Sequence, residues 1–394
     1  MHLNSDAKTT AYMNKFRDSI EKHTSIRDDP FVDHYTTKIH APAPSVSLPT
    51  PPTSDMSVMP VNINSKPKTS LNLSDRNLVC LDRYGDEFAV GCTDHSVYVI
   101  RMASNGSFAP VRQLFSKSTG HTDWVTAVAY LPDGRLVSGG MDSTLWLWKG
   151  RAGKVLNGHV GSVSKVLALS NEFLLSASYD RSVKVWSGLS GKLLTSLHGH
   201  TGAIVDMIYV SRKIVTCGRD SSVRIWDPEM GRSIATFQAH MGHAIGIVES
   251  SHHSVISAGQ DGIVKCWDHR VPDAVHNLCI TTNGSSLSNL SIGPNKEGPI
   301  FVSASDTTVC GIDARTFTPR SRWMDDHKFS IYSLLAVGDG TVVSGGGDGS
   351  LAHRTSEGRL LDKRKMDDNA IRGMITDRTG RLVAVTDDGN IHSL

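Results

Sequence analysis

An aspartate that closes an apolar run and opens a shorter, alternating one recurs eight times along this chain. The positions are Asp94, Asp142, Asp180, Asp220, Asp261, Asp306, Asp348 and Asp388, at intervals of 48, 38, 40, 41, 45, 42 and 40 residues. Self-similarity at such a period constrains the fold more than composition does. Each unit is one supersecondary block that cannot bury its apolar faces alone, so the units must stack. Residues 158–186, GHVGSVSKVLALSNEFLLSASYDRSVKVW, show the block most clearly. After a Gly-His pair, 163–169 alternates apolar and small residues, 173–177 is apolar, and 183–186 keeps a strict period of two. Such runs read as short antiparallel strands, and Asp180 and Ser182 supply the turn between the last two by bonding their own backbone. The chain is expected to be all-β.

Two more landmarks keep step with the aspartate. Trp148, Trp186, Trp226 and Trp267 stand six residues after it, and His121, His159, His200, His240 and His327 stand 20 or 21 before it. Recurring together at fixed offsets, they resemble the WD-repeat β-propeller family over residues 71–394. Eight units imply eight blades, with the alternative of seven and one terminal unit packed outside the ring. In this family the His, a Ser or Thr, the turn Asp and the Trp form a buried hydrogen-bond chain. The resemblance implies four complete sets: His121, Ser138, Asp142 and Trp148; His159, Ser176, Asp180 and Trp186; His200, Thr216, Asp220 and Trp226; His240, Ser257, Asp261 and Trp267. A Ser/His/Asp constellation also suits a hydrolase, but an enzyme needs one active site rather than four copies, and no catalytic residue is assigned. Other units are degenerate, with Ile100, Ile312 and Arg354 at the Trp position. The last unit lacks an outer strand, which an N-terminal strand usually supplies in this family. Residues 58–63 (VMPVNI) are the candidate, since Pro60 is tolerable on an edge.

Residues 1–70 differ from the rest, holding eight of the fifteen prolines, five of them from Pro42 to Pro52. Too few apolar residues offset the entropy of ordering such a segment, so residues 1–55 are expected to be a disordered, Pro-rich extension and 56–394 the propeller. Within the extension, 6–24 can form one short amphipathic helix with Tyr12, Phe16 and Ile20 on one face, a stripe suited to a partner's groove.

Charge and cysteine use narrow the function classes. The 41 basic and 39 acidic residues are interspersed and leave a net charge of +2, which gives no footprint for nucleic acid. No apolar run reaches membrane-spanning length and no signal-peptide core opens the sequence. The six cysteines lack any Cys-x-x-Cys pair and mostly sit in apolar runs, as small hydrophobes of a reducing compartment do. A cytoplasmic protein, with the nucleus as a second location, is expected. It would need no metal and no cofactor.

What remains is binding. The family's usual contact face is the narrow end, reached here by residues after the opening His (Trp124, Thr126, His243, Tyr332) and before the turn Asp (Met141, Tyr179, Arg219, Gln260). Large aromatics, Met and Arg are enriched at interfaces. The expected function is a non-catalytic interaction scaffold, monomeric by itself within a larger intracellular assembly, with proteins or peptides on the propeller faces. An alternative comes from Trp267-Asp268-His269-Arg270, which resembles the Trp-Asp-x-Arg box of substrate receptors in cullin-type ubiquitin ligases, where the Arg faces the ligase adaptor.

Overall fold

The computed structural model describes residues 69–394 apart from 110–111, 117–118, 229, 251–253, 269–273, 282, 294–295, 297 and 325–326. The described residues form 32 strands in eight antiparallel sheets of four, and no helix. Seven sheets, blades 1 to 7, are continuous in sequence and span 78–114, 125–156, 163–198, 204–238, 244–279, 287–324 and 331–365. Blade 8 takes three strands from 371–393 and its fourth from the other end of the chain. The first strand of each blade packs against that of the next, and blade 8 against blade 1, so the ring closes on eight blades. The seven-bladed alternative is thereby set aside.

Stacking explains the sequence pattern. A blade's middle strand is covered on both faces, so it reads as a continuous apolar or small run. Phe173–Ser178 and Leu382–Thr386 are buried at every position. Outer strands alternate between half-buried and exposed, as Thr-Ser-Leu-Asn at Thr69–Asn72 does. The cores lie between blades rather than within them. Phe173, Leu175, Val183 and Val185 of blade 3 meet Ile204, Met207, Ile214 and Trp226 of blade 4. At the closure, Val383, Val385 and Ile391 of blade 8 meet Leu78, Phe88 and Ile100 of blade 1.

The strand that completes blade 8 is Thr69–Asn72, paired antiparallel with Asn390–Ser393 in the register Thr69 to Ser393 and Asn72 to Asn390. This corrects the expected closing strand at 58–63, which lies outside the described residues. An edge strand needs little apolar content: Leu71 alone reaches the core between blades 8 and 1. Polar groups do the rest. The Asn72 side-chain amide donates to Asn390 Oδ1 at 2.9 Å and to the Ser74 carbonyl at 3.1 Å. Only five residues then separate Asn72 from the first strand of blade 1, Leu78–Tyr84.

In every blade the first strand carries a β-bulge after its first residue. The bulge re-aims the residues on either side of it, at the end of the disc that also holds the turn aspartates.

Candidate functional site

Blade 3 shows how the repeated residues are joined. His159 lies 2.7 Å from Asp180 Oδ2 through Nδ1 and 2.7 Å from Ser176 Oγ through Nε2, and Trp186 Nε1 donates to Ser176 Oγ at 2.8 Å. A carboxylate only accepts, so Nδ1 carries the proton, and Nε2 accepts from the Ser176 hydroxyl. Burial lowers the His159 pKa against the opposing pull of Asp180, which keeps the ring neutral. The same connections join the sets in blades 2, 4 and 5. In these, Nε2 meets Ser138, Thr216 and Ser257 at 2.8, 2.7 and 2.9 Å, and the indoles donate to the same oxygens at 2.9, 2.7 and 2.8 Å. Blade 7 keeps His327 on Ser344 and Asp348 at 3.0 and 3.2 Å. Burial opposes ionisation of Asp142, yet donors from His121, Thr122 and Thr144 outweigh it and hold the carboxyl down at about 2. Each hydroxyl at the centre of the four complete sets (Ser138, Ser176, Thr216, Ser257) is 0% exposed. A substrate cannot reach them. Their chemistry is to tie strand, turn and loop together.

The other blades reach the same end with different residues. In blade 8 the roles are exchanged: the loop supplies Asp367 and the strand supplies His392, 2.8 Å apart, with Thr386 and Asn390 also donating to Asp367. In blade 1, Asp94 accepts from Ser74 Oγ at 2.7 Å and from the Tyr98 hydroxyl at 2.5 Å. Blade 6 has Asn283 donating to Asp306 at 2.8 Å. The Trp position is filled by buried Ile100, Ile312, Arg354 and Leu394 in blades 1, 6, 7 and 8.

At the disc end that carries the turn aspartates, a backbone hydrogen bond joins the two classes of residue singled out for contact. The N–H of Met141 donates to the Trp124 carbonyl, Tyr179 to Ser162, Arg219 to Ala203, Gln260 to His243 and Gly347 to Ser330, at 2.8 to 2.9 Å. The bulge thus sets one pair per blade around this end of the ring. Trp124, Met141, Tyr179 and Tyr332 are 49, 38, 41 and 44% exposed. Arg219 and Gln260 are exposed and His243 half-buried. Arg219 lies over the Tyr179 ring, 4.8 Å from its centroid, and Arg372 lies over Tyr332 at 4.4 Å.

Sequence reasoning missed three neighbours. Val160, Met241 and Phe329 are 88, 90 and 63% exposed on the same face. The signal was available for the first two. The residue after each His gives its N–H to the buried Asp, as Val160 does at 3.1 Å and Met241 at 2.9 Å. Its side chain must then point to solvent, so an apolar residue there stands out. Arg270 and the stripe of Tyr12, Phe16 and Ile20 lie outside the described residues. Trp267 is buried, and Asp268 ends its strand at the opposite end of the disc. Among the described residues no group of three or more His, Cys, Asp or Glu is placed to hold a metal.

Comparison with known proteins matches this geometry. Residues 112–149, 150–187, 191–227 and 231–268 match the family described as WD domain, G-beta repeat. Each matched stretch begins at or just before the outer strand of one blade and ends on the third strand of the next, and the four cover the complete His, Ser/Thr, Asp and Trp sets. The crystal structure of the computationally designed Ika8 protein is similar over 84% of this chain and 99% of its own, at 22% identity and a TM-score of 0.72. The WD40 beta propeller domain of Doa1 is similar over 83% of this chain and 95% of its own, at 17% identity and a TM-score of 0.58. At these identities the likeness is one of fold. No curated protein matches the chain in sequence.

Proposed function

Because this chain is a WD-repeat β-propeller, we propose that it works as a non-catalytic scaffold that holds partner proteins or peptides on the disc end lined by Trp124, Met141, Tyr179, Arg219, His243, Gln260 and Tyr332. One observation carries the reading. Large apolar side chains that the fold does not require, among them Trp124, Val160, Met241, Phe329 and Tyr332, stand exposed together on that end. Such side chains contribute contact area at low entropic cost and dominate interface energetics. The Ser, His and Asp groups beneath them are buried in structural hydrogen-bond chains, which supports binding rather than turnover. All six cysteines are unpaired, in keeping with a reducing, cytoplasmic setting.

The test is affinity capture with the full chain. The Trp124→Ala, Tyr332→Ala double variant should lose the main captured partner, while Arg270→Ala, in the box of the ligase-receptor reading, changes little. Release of a ligase adaptor by Arg270→Ala, with the double variant keeping that adaptor, would favour the receptor reading. Each variant must first melt as wild type does.

A further inference from the structure

Two arginines on this face lie over tyrosines of the preceding blade, but only one of them is neutralised. Arg372 sits 4.4 Å from the Tyr332 ring centroid and gives Nε and Nη2 to the Asp387 carboxylate at 2.9 and 2.8 Å. Arg219 sits 4.8 Å from the Tyr179 centroid and gives Nη2 to the Tyr179 hydroxyl at 3.2 Å. Among the described residues Arg219 meets no carboxylate, and neither does Arg181, exposed on the adjoining turn. The nearby carboxylates are already engaged. Asp142, Asp180 and Asp220 have side chains 5 to 6% exposed and are turned onto His121, His159 and His200. Asp123 accepts from the Trp124 N–H at 2.8 Å.

The blades that carry these residues are joined across this face. Ser162 Oγ contacts the Met141 carbonyl at 3.4 Å, linking blade 3 to blade 2, and Arg219 reaches Tyr179, linking blade 4 to blade 3. Along this arc lie Trp124, Met141, Val160 and Tyr179, each at least 38% exposed. An apolar arc with two cations at one end, and with Asp123 the one half-buried carboxylate at the other, is complementary to a segment that sets an acidic side chain among apolar ones.

We propose that the arc from Trp124 to Arg219 binds an extended peptide segment of a partner protein through a glutamate or aspartate carboxylate on Arg219 and Arg181, with flanking apolar side chains on Trp124, Met141 and Val160. The inference rests on the scaffold reading and adds the chemistry of the partner. Asp387 shows what fits: its carboxylate takes two parallel N–H donors from an arginine held by a tyrosine ring. Carboxylate and guanidinium match in this fork geometry.

The experiment selects randomised decapeptides displayed on phage against the full chain, then measures the selected peptides by fluorescence anisotropy. Selected sequences should be rich in Glu or Asp beside apolar residues. Binding should weaken at least tenfold in the Arg181→Gln, Arg219→Gln variant and when the peptide's Glu is changed to Gln, and should weaken with added salt. Selection of neutral or basic peptides, or no selection at all, overturns the proposal. So does unchanged binding in the arginine variant. A phosphoserine peptide that binds where its glutamate counterpart does not overturns the carboxylate assignment. If the arginine variant keeps the captured partner while the Trp124→Ala, Tyr332→Ala variant loses it, the scaffold reading stands and this inference falls. If neither loses it, both fall.

Discussion

Replacing Asp180 by alanine tests the hydrogen-bond chain at its most connected member. The carboxylate accepts from His159 Nδ1 at 2.7 Å, the Val160 N–H at 3.1 Å, the Ser182 N–H at 2.9 Å and the Ser182 hydroxyl at 2.6 Å. Not all four donors would be stranded. Val160 is 88% exposed, so water can reach its N–H. Ser182 Oγ already lies 3.4 Å from His159 Nδ1 and can accept from it. That leaves the Ser182 N–H and O–H, on a residue 1% exposed. Each buried, unsatisfied donor costs ~1–3 kcal/mol, and a water entering the vacated space recovers part, so the loss should be ~2–4 kcal/mol. For a disc of this size each kcal/mol lowers the melting temperature by about 1.5 °C, which predicts a drop of about 3–6 °C. Differential scanning calorimetry and urea unfolding are the assays. Asp180→Asn, which keeps one acceptor oxygen, should fall between the two. An alanine variant that melts within a degree of wild type would refute the argument, because it would mean that solvent already satisfies these groups.

The residue after each turn aspartate gives a second prediction with the opposite sign. It is left-handed throughout, as Gly262, Gly349 and Gly389 in blades 5, 7 and 8, but as β-branched Thr307 in blade 6 at φ 67°. Thr307→Gly should raise stability by ~0.5–1 kcal/mol, the strain relieved being larger than the entropy added to the unfolded chain. Gly389→Ala should lower it, since a Cβ there would overlap the Ser74 carbonyl. The pH dependence is the third. Burial lowers the pKa of His159, His200 and His240 below the ordinary histidine value, so the unfolded chain takes up protons there before the folded one does. Their contribution is complete above about pH 6.5 and is lost as pH falls through the folded values. Despite desolvation, hydrogen bonds hold Asp142 and Asp220 at about 2, so their contribution is complete above about pH 4 and lost between there and about pH 2. Urea midpoints should therefore fall from pH 8 to pH 5 and fall again below pH 4; a midpoint that rises on acidification contradicts this.

Legibility in the sequence followed the side chains that carry the period. Blades 2 to 5 were readable because His, Asp and Trp are long-range landmarks whose spacing is set by strand and turn lengths. Blade 8 was readable as a unit but not as a network, since Asp367 and His392 exchange the usual places of loop and strand. The closing strand was misplaced for a physical reason. Val58, Val61 and Ile63 look like a strand, whereas Thr69–Asn72 earns its place through backbone register and one leucine. The family pattern puts contact residues three and five positions after the His, which passes over the exposed Val160 and Met241. The backbone bond to Asp shows that the position directly after it faces outward too. The contrast between the two arginines that lie over tyrosines was beyond reach from sequence, because nothing in a linear chain says that Asp387 belongs to Arg372 and that Arg219 meets no carboxylate.

The seam of blade 8 has a consequence for the order of events during synthesis. Asn72 and Asn390, which share a hydrogen bond across it, lie 318 residues apart. Blades 1 to 7 can each pair their strands as soon as they are made, but the edge waiting at Thr69–Asn72 stays open until almost the last described residue has been added. Loop-closure entropy grows only logarithmically, so the length of the loop is little obstacle to the final stability. It is an obstacle to timing. During that delay Leu78 and Phe88, which end up against Val383 and Val385, face solvent or whatever protein is nearby. A growing chain of this design therefore depends on an early strand remaining unpaired with the wrong edge, and an aggregate or a swapped dimer would form through that same strand.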